Sequence, residues 1–153
     1  MSEEHSQHRD TALAEWRESA AHWGKHARTI RTMFTPITDA LIQEASIRRG
    51  AKVLDVAAGP GEPSLSIAEF VGAEGCVVSS DAIGGMVAAG FKEAQRRHVK
   101  NISFAQCEAG ALPFADSSFD SVVSRLGAMF FPDIGEALRE MCRVNRPGGS
   151  ISL

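Results

Sequence analysis

The 153-residue sequence has no apolar run approaching the roughly 18 residues of a membrane helix, so no membrane span is expected. It also has no excess of positive charge. Its 16 basic and 19 acidic residues are interspersed, for a net charge of -3, and no sustained positive field is available to attract phosphate backbones. Nucleic acid is therefore excluded as the expected partner. Cysteine is scarce: Cys76, Cys107 and Cys142 are odd in number, widely spaced and without a C-x-x-C pair, which argues for reduced thiols. Met1 to Asp10 are polar and lack the basic-then-apolar layout of a signal peptide, so a soluble cytoplasmic protein is expected. Neither glycine nor proline dominates, and repeats are absent. With 44% hydrophobic residues, a chain of this length can bury about 70% of its unfolded surface, so a core without staples is expected.

The apolar positions Leu13, Trp16, Ala20, Trp23, Ala27, Ile30 and Phe34 recur at spacings of three and four, which predicts an amphipathic helix weakened in its middle by Gly24. Thr35-Pro36 reads as an N-cap with proline at the first helical position, starting a second helix with Ile37, Leu41, Ile42 and Ala45 inward and ending at Arg48-Arg49-Gly50. From Lys52 the pattern alternates. Strands are predicted at Lys52–Val56, Cys76–Ser80, Ile102–Cys107 and Phe119–Ser124, and helices around Leu65–Val71, Met86–Arg97 and Ile134–Val144. Pro147-Gly148-Gly149 closes the last helix and Ser150–Leu153 opens a fifth strand. The result is an α/β fold: a Rossmann-like three-layer sandwich with a mostly parallel sheet, an N-terminal helical cap over residues 1–46 behind a polar tail, and a nucleotide-binding domain over 47–153. Ligands of such sheets bind beyond the carboxyl ends of the strands.

Three strand ends carry candidate groups. Asp55-Val56-Ala57-Ala58-Gly59-Pro60-Gly61 joins strand to helix through small residues, which lets backbone approach a ligand and offers free amides to an anion. Asp81 ends the second strand, 20 residues beyond Gly61, where a carboxylate can accept from both hydroxyls of a ribose; the alternative is a helix cap. Glu108 follows the third strand and can accept from an exocyclic amine such as adenine's, while the Ala109 amide donates to a ring nitrogen.

These motifs, together with Cys107-Glu108-Ala109-Gly110-Ala111-Leu112-Pro113-Phe114, Ser118-Phe119-Asp120-Ser121-Val122-Val123 and Arg143-Val144-Asn145-Arg146-Pro147-Gly148-Gly149, occur in an order that resembles class I S-adenosylmethionine (SAM) dependent methyltransferases. The resemblance is to the small-molecule type of ubiquinone and menaquinone biosynthesis (methyltransferase type 11), and it covers about Arg48 to Leu153. It implies SAM as cofactor, a small-molecule methyl acceptor, and roles by position. Ala57, Ala58, Gly59 and Gly61 would hold the methionine part, with Asp55 orienting the turn and meeting the amino group. Asp81 would hold the ribose, Glu108 and Ala109 the adenine, and Met86 would pack on the adenine. Arg125 is placed among the cofactor-contacting residues.

Three features depart from the family. Ala57 stands where glycine is usual, and Glu108 where aspartate is usual. The family's sheet also continues beyond a fifth strand. The resemblance thus implies missing C-terminal strands, an uncovered face at Val122, Ile151 and Leu153, and self-association through an exposed sheet edge.

A nicotinamide dinucleotide enzyme is the nearest rival, but its G-x-G-x-x-G fingerprint would need glycine at position 64, where Ser64 stands. A second rival is a module that holds SAM without transferring methyl. His22 and His26 are four apart on a helix, yet no third ligand completes a metal site, and none is expected. Arg125-Leu126-Gly127-Ala128-Met129-Phe130-Phe131 follows the fourth strand and contains no histidine or carboxylate, so no catalytic base is assigned. That segment reads as an apolar acceptor pocket with one cation, or as core. Trp16 and Trp23 read as packing residues, or as part of a lid over the strand ends.

Overall fold

The computed structural model describes residues 14–20, 22, 23 and 25–153; Leu13 and Gly24 of the expected first helix, and the polar tail, lie outside the described residues. Strands β1 (Lys52–Val56), β2 (Cys76–Asp81), β3 (Ile102–Gln106), β4 (Phe119–Val123) and β5 (Asn145–Ser152) form one sheet in the order β3-β2-β1-β4-β5. Each neighbouring pair is parallel. Central β1 is flanked in register: Val53 lies opposite Val77 and Ser121, and Leu54 opposite Val78 and Val122. A strand covered on both faces must be apolar on both, and Val53, Leu54 and Val56 are all buried.

Helices cover both faces, giving the expected three-layer Rossmann-like sandwich. On one face Leu41 and Ile42 of α1 (Ala27–Glu44) and Ile67, Ala68 and Val71 of α2 (Ser64–Val71) pack on Val53, Val77 and Val123. On the other, Met141 and Val144 of α4 (Ile134–Val144) pack on Leu54, Val56 and Val122. Each such aliphatic side chain contributes about 1.5–3 kcal/mol on full burial. Helix α3 (Gly84–Arg97) packs beside β2 and β3, where Gly90 lets it close on Phe104 and Gly61. Asp133 caps α4 by accepting from the Glu136 amide at 2.8 Å.

Four expectations are corrected. The chain does not break at Thr35-Pro36, because α1 runs through Pro36. Pro36 lies on the exposed side, where the carbonyl it leaves without an intrahelical donor is open to water, and the opposite side is buried through Ala27, Ile30, Thr38 and Leu41. Ile37 is accordingly 42% exposed rather than inward. The helix ends at Glu44, not at Arg48-Arg49-Gly50, with Ser46 in the left-handed region. Strand β5 starts at Asn145, directly after α4; Phe119 pairs with Asn145 and Ser121 with Ser150, so Pro147-Gly148-Gly149 is an irregularity inside the strand. Val122 is fully buried between β1 and β5, because β5 pairs along it and α4 covers it; Leu153 is the exposed member of the expected bare face.

Candidate active site

The sheet reverses direction of growth between β1 and β4, the switch point at which crossovers leave in opposite directions and a crevice opens. A cleft of about 490 Å³ lies there, within the range of ligand sites. Of the residues assigned from sequence, Ala57, Ala58, Gly59, Asp81, Met86, Glu108, Ala109 and Arg125 border it. Asp55 and Gly61 do not: Asp55 is buried beneath the turn, and Gly61 closes the turn against Leu65 and Gly90.

Asp55 is completely buried at the end of β1. Its Oδ2 accepts from Ser64 Oγ at 2.5 Å, at the start of α2, while Oδ1 has no partner. Burial is the main cause that raises its carboxyl from 3.8 to about 7; the Ser64 bond and Arg125 oppose the rise without cancelling it. The turn that follows is tightly folded. Ala57 adopts φ 57°, a left-handed conformation that costs a residue with a side chain about 1–2 kcal/mol. At Gly61, φ is 111° and an added Cβ would meet Leu65 Cδ1 at 2.9 Å and Gly90 Cα at 3.2 Å, so the position needs glycine on both counts. Nothing lies within 4 Å of a Cβ added at Gly59, which leaves that backbone open toward the cleft.

Asp81 joins the turn to the second strand. Its Oδ2 accepts from the Gly59 amide at 2.8 Å and its Oδ1 from the Ile83 amide at 2.9 Å. It caps no helix in the strict sense, since α3 begins at Gly84 behind Ile83. Burial raises its pKa above the usual value, against the two amide bonds. A carboxylate offers about four lone-pair directions, so both oxygens retain room for a second donor.

Arg125, just after β4, clasps α1 and the turn before α2. Its Nη1 donates to Thr38 Oγ1 of α1 at 2.7 Å, its Nη2 to the Glu62 carbonyl at 3.0 Å, and its guanidinium stands 5.2 Å from the Phe34 ring centre. Burial lowers its pKa and the carboxyls of Asp55 and Glu62 oppose this, but an arginine remains charged. Among the described residues it is the one cationic side chain bordering the cleft, and it makes no carboxylate ion pair. Its direct partners are neutral oxygens, while the Asp55 and Glu62 carboxyls act on it through space.

Sequence reasoning missed Glu62, which also borders the cleft. Its carboxylate is buried and pairs with Arg97 of α3 and, at 3.6 Å, with Arg31 of α1, while accepting from Ser66 Oγ at 2.7 Å. Glu69 of α2 extends the network to both arginines. The two arginines lie 31 and 35 positions from Glu62 along the chain, so no local spacing signals them. Trp16 and Trp23 both pack and cover: they sit on Ala20, Ile83 and Met86 and line the cleft, with Trp16 edge-on to Phe130 at 4.9 Å. Met129 and Phe130 are 70% and 51% exposed, so they are not core; they form the cleft wall with Phe131. His22 and His26 are exposed, and no group of three or more metal-binding side chains occurs among the described residues. Among the described residues no helix is long and apolar enough to cross a membrane, and the three cysteines are free thiols.

Comparison with known proteins places this geometry in context. The model of the ubiE/COQ5 methyltransferase family matches residues 36–153. The chain is 36% identical over 144 residues to an uncharacterized protein of Mycobacterium tuberculosis, covering 94% of this chain and 51% of that one. It is 40% identical over 111 residues to the ubiquinone/menaquinone biosynthesis C-methyltransferase UbiE of Hahella chejuensis, covering 72% and 45%. Among solved structures, YcgJ of Bacillus subtilis superposes with TM-score 0.68 at 34% identity, covering 73% of this chain and 47% of that one. The chain spans about half the length of the curated relatives it matches.

Proposed function

Since this chain belongs to the ubiE/COQ5 methyltransferase family, we propose that it binds SAM in the cleft at the switch point and transfers a methyl group to a small-molecule acceptor. The observation that carries this reading is the convergence of the glycine turn, Asp81, Glu108 and Arg125 on one cleft. The fit is chemical. SAM is a zwitterion with an added sulfonium, and the cleft offers the Arg125 cation and an unobstructed backbone at Gly59, with a buried Asp55 Oδ1 without a donor beneath the turn.

In this reading Ala57, Ala58, Gly59 and Gly61 take the methionine end, with Asp55 behind them receiving the amino group directly or through water. Arg125 faces the carboxylate. Asp81 accepts from the ribose hydroxyls on the lone pairs its amide bonds leave, Glu108 accepts from the adenine amine, the Ala109 amide donates to the ring, and Met86 lies against it. The cofactor supplies an electrophilic methyl group on sulfur. The chain's contribution is to hold nucleophile and methyl in line and to exclude water, for which Trp16, Trp23, Phe130 and Phe131 form an apolar wall. Residues 1–46 act as the cap and 47–153 as the SAM-binding unit. Cytoplasmic residence, and pairing of the outer edge of β5 with another strand, complete the proposal.

The test is calorimetric titration with SAM and, in parallel, with NAD, followed by incubation with labelled SAM and a panel of phenols, amines and thiols. Saturable binding of SAM and none of NAD is expected, with label passing to an acceptor. NAD binding in preference to SAM would overturn the cofactor reading, and SAM binding without transfer to any acceptor would reduce the protein to a binding module.

A further inference from the structure

Ala57 is in a conformation that favours glycine, and Gly127 is in one that does not. At Ala57 φ is 57°, in the left-handed region. At Gly127 φ is -83° and ψ -31°, ordinary helical backbone open to any residue. What excludes a side chain at Gly127 is therefore space. A Cβ built there would lie 2.7 Å from Ala57 Cβ, 2.7 Å from Ser124 Oγ and 3.3 Å from the Ala57 carbonyl oxygen. Two methyl groups cannot share that volume, whereas one fills it.

We infer that Ala57 and Gly127 are a matched pair of positioning residues: a single methyl, carried by either one, sets the separation between the turn after β1 and the loop after β4. Both segments border the cleft, and the β4 loop carries Arg125 at one end and the Met129 to Phe131 wall at the other. The width of the cleft at this point is thus controlled by one partly exposed methyl, placed on the residue where the backbone is strained. As far as it concerns ligand binding, the inference rests on the SAM reading.

The consequences have opposite signs for stability and for binding. Ala57→Gly relieves the left-handed strain, and the greater freedom of glycine in the unfolded chain offsets only part of that gain. Removing the methyl also lets the two walls of the cleft move. Gly127→Ala adds a second methyl where there is none to spare. The exchange variant Ala57→Gly with Gly127→Ala moves the methyl across the contact, and each residue then matches its backbone. Two obstacles remain: Ser124 Oγ is buried without a hydrogen-bond partner, so it can turn aside without losing one, and the Ala57 carbonyl oxygen at 3.3 Å has to give by a few tenths of an ångström, which the relieved turn at position 57 allows.

Thermal unfolding and SAM affinity of the three variants test this. Ala57→Gly is expected to unfold about 2 °C higher than the natural chain, yet bind SAM several-fold more weakly. Gly127→Ala is expected to lower both midpoint and affinity, or fail to fold. The exchange variant is expected to recover a midpoint at or above that of the natural chain and an affinity within about threefold of it, a non-additivity characteristic of direct contact. A purely structural role would move stability and affinity together in Ala57→Gly, and that result would overturn the positioning role. An exchange variant no better than Gly127→Ala, or a Gly127→Ala variant indistinguishable from the natural chain, would overturn the pairing. If the natural chain binds no SAM, the cofactor reading fails, while the unfolding midpoints still decide whether the two residues share one methyl.

Discussion

Replacing Asp55 with asparagine probes a carboxyl that is buried at a cost. The carboxyl is completely buried, accepts one hydrogen bond from Ser64, and has its pKa raised from 3.8 to about 7, chiefly by burial. An acid whose folded-state pKa lies above its unfolded value favours the protonated folded state. Stability is therefore fully present below the unfolded value near pH 4 and is lost as pH rises through the folded value. A raise of this size removes about 4 kcal/mol between pH 4 and pH 8. The carboxamide introduced by Asp55→Asn does not titrate. It can keep the Ser64 bond on its oxygen, but it puts an amide nitrogen where Oδ1 has no partner, at a cost of about 1–3 kcal/mol. The variant should accordingly be less stable than the natural chain at pH 4.5 and more stable at pH 8, by about 1–3 kcal/mol, or roughly 2–12 °C in midpoint. Its SAM affinity should fall at both pH values. The assay is far-UV circular dichroism melting of both proteins from pH 4.5 to pH 8.5. A midpoint difference that does not change sign or slope with pH would refute the reasoning, because Asp55 would then not be a buried acid titrating in that interval.

Asp81→Asn keeps one acceptor and turns an amide nitrogen toward the Gly59 or Ile83 amide, so it should lower the unfolding midpoint by about 2–12 °C and weaken SAM at least tenfold, read by melting and by calorimetry. Glu108→Gln loses one charged acceptor at the edge of the cleft and should weaken SAM less than Asp81→Asn; the reverse order in calorimetry would mean the two roles are exchanged. Arg97→Ala leaves the buried Glu62 carboxylate with Arg31 at 3.6 Å as its remaining ion-pair partner, and should cost about 3–5 kcal/mol in urea unfolding.

The strand-helix alternation, the positions of β1 to β4 and the residues at their ends were legible in the sequence, because each is written locally. A run such as Lys52–Val56 has a length and an apolarity that suit only a buried strand, and the small-residue turn after it is contiguous. Since parallel strands place their carboxyl ends on one side, reading the ends was enough to bring Ala57, Asp81, Glu108 and Arg125 to a single cleft. Tertiary structure decided the rest. Pro36 carries a strong local instruction to start a helix, yet the buried side through Ile30, Thr38 and Leu41 holds α1 together while the proline faces solvent. The Pro147-Gly148-Gly149 segment reads as a stop, but pairing of Asn145 with Phe119 draws it into β5. The ion pairs of the Glu62 network and the clasp of Arg125 on Thr38 join residues 28 to 87 positions apart, and the exclusion of a side chain at Gly127 depends on Ala57, 70 positions away. Burial and steric exclusion depend on which surfaces meet, and that is settled only when the sheet has assembled and the helices have closed over it.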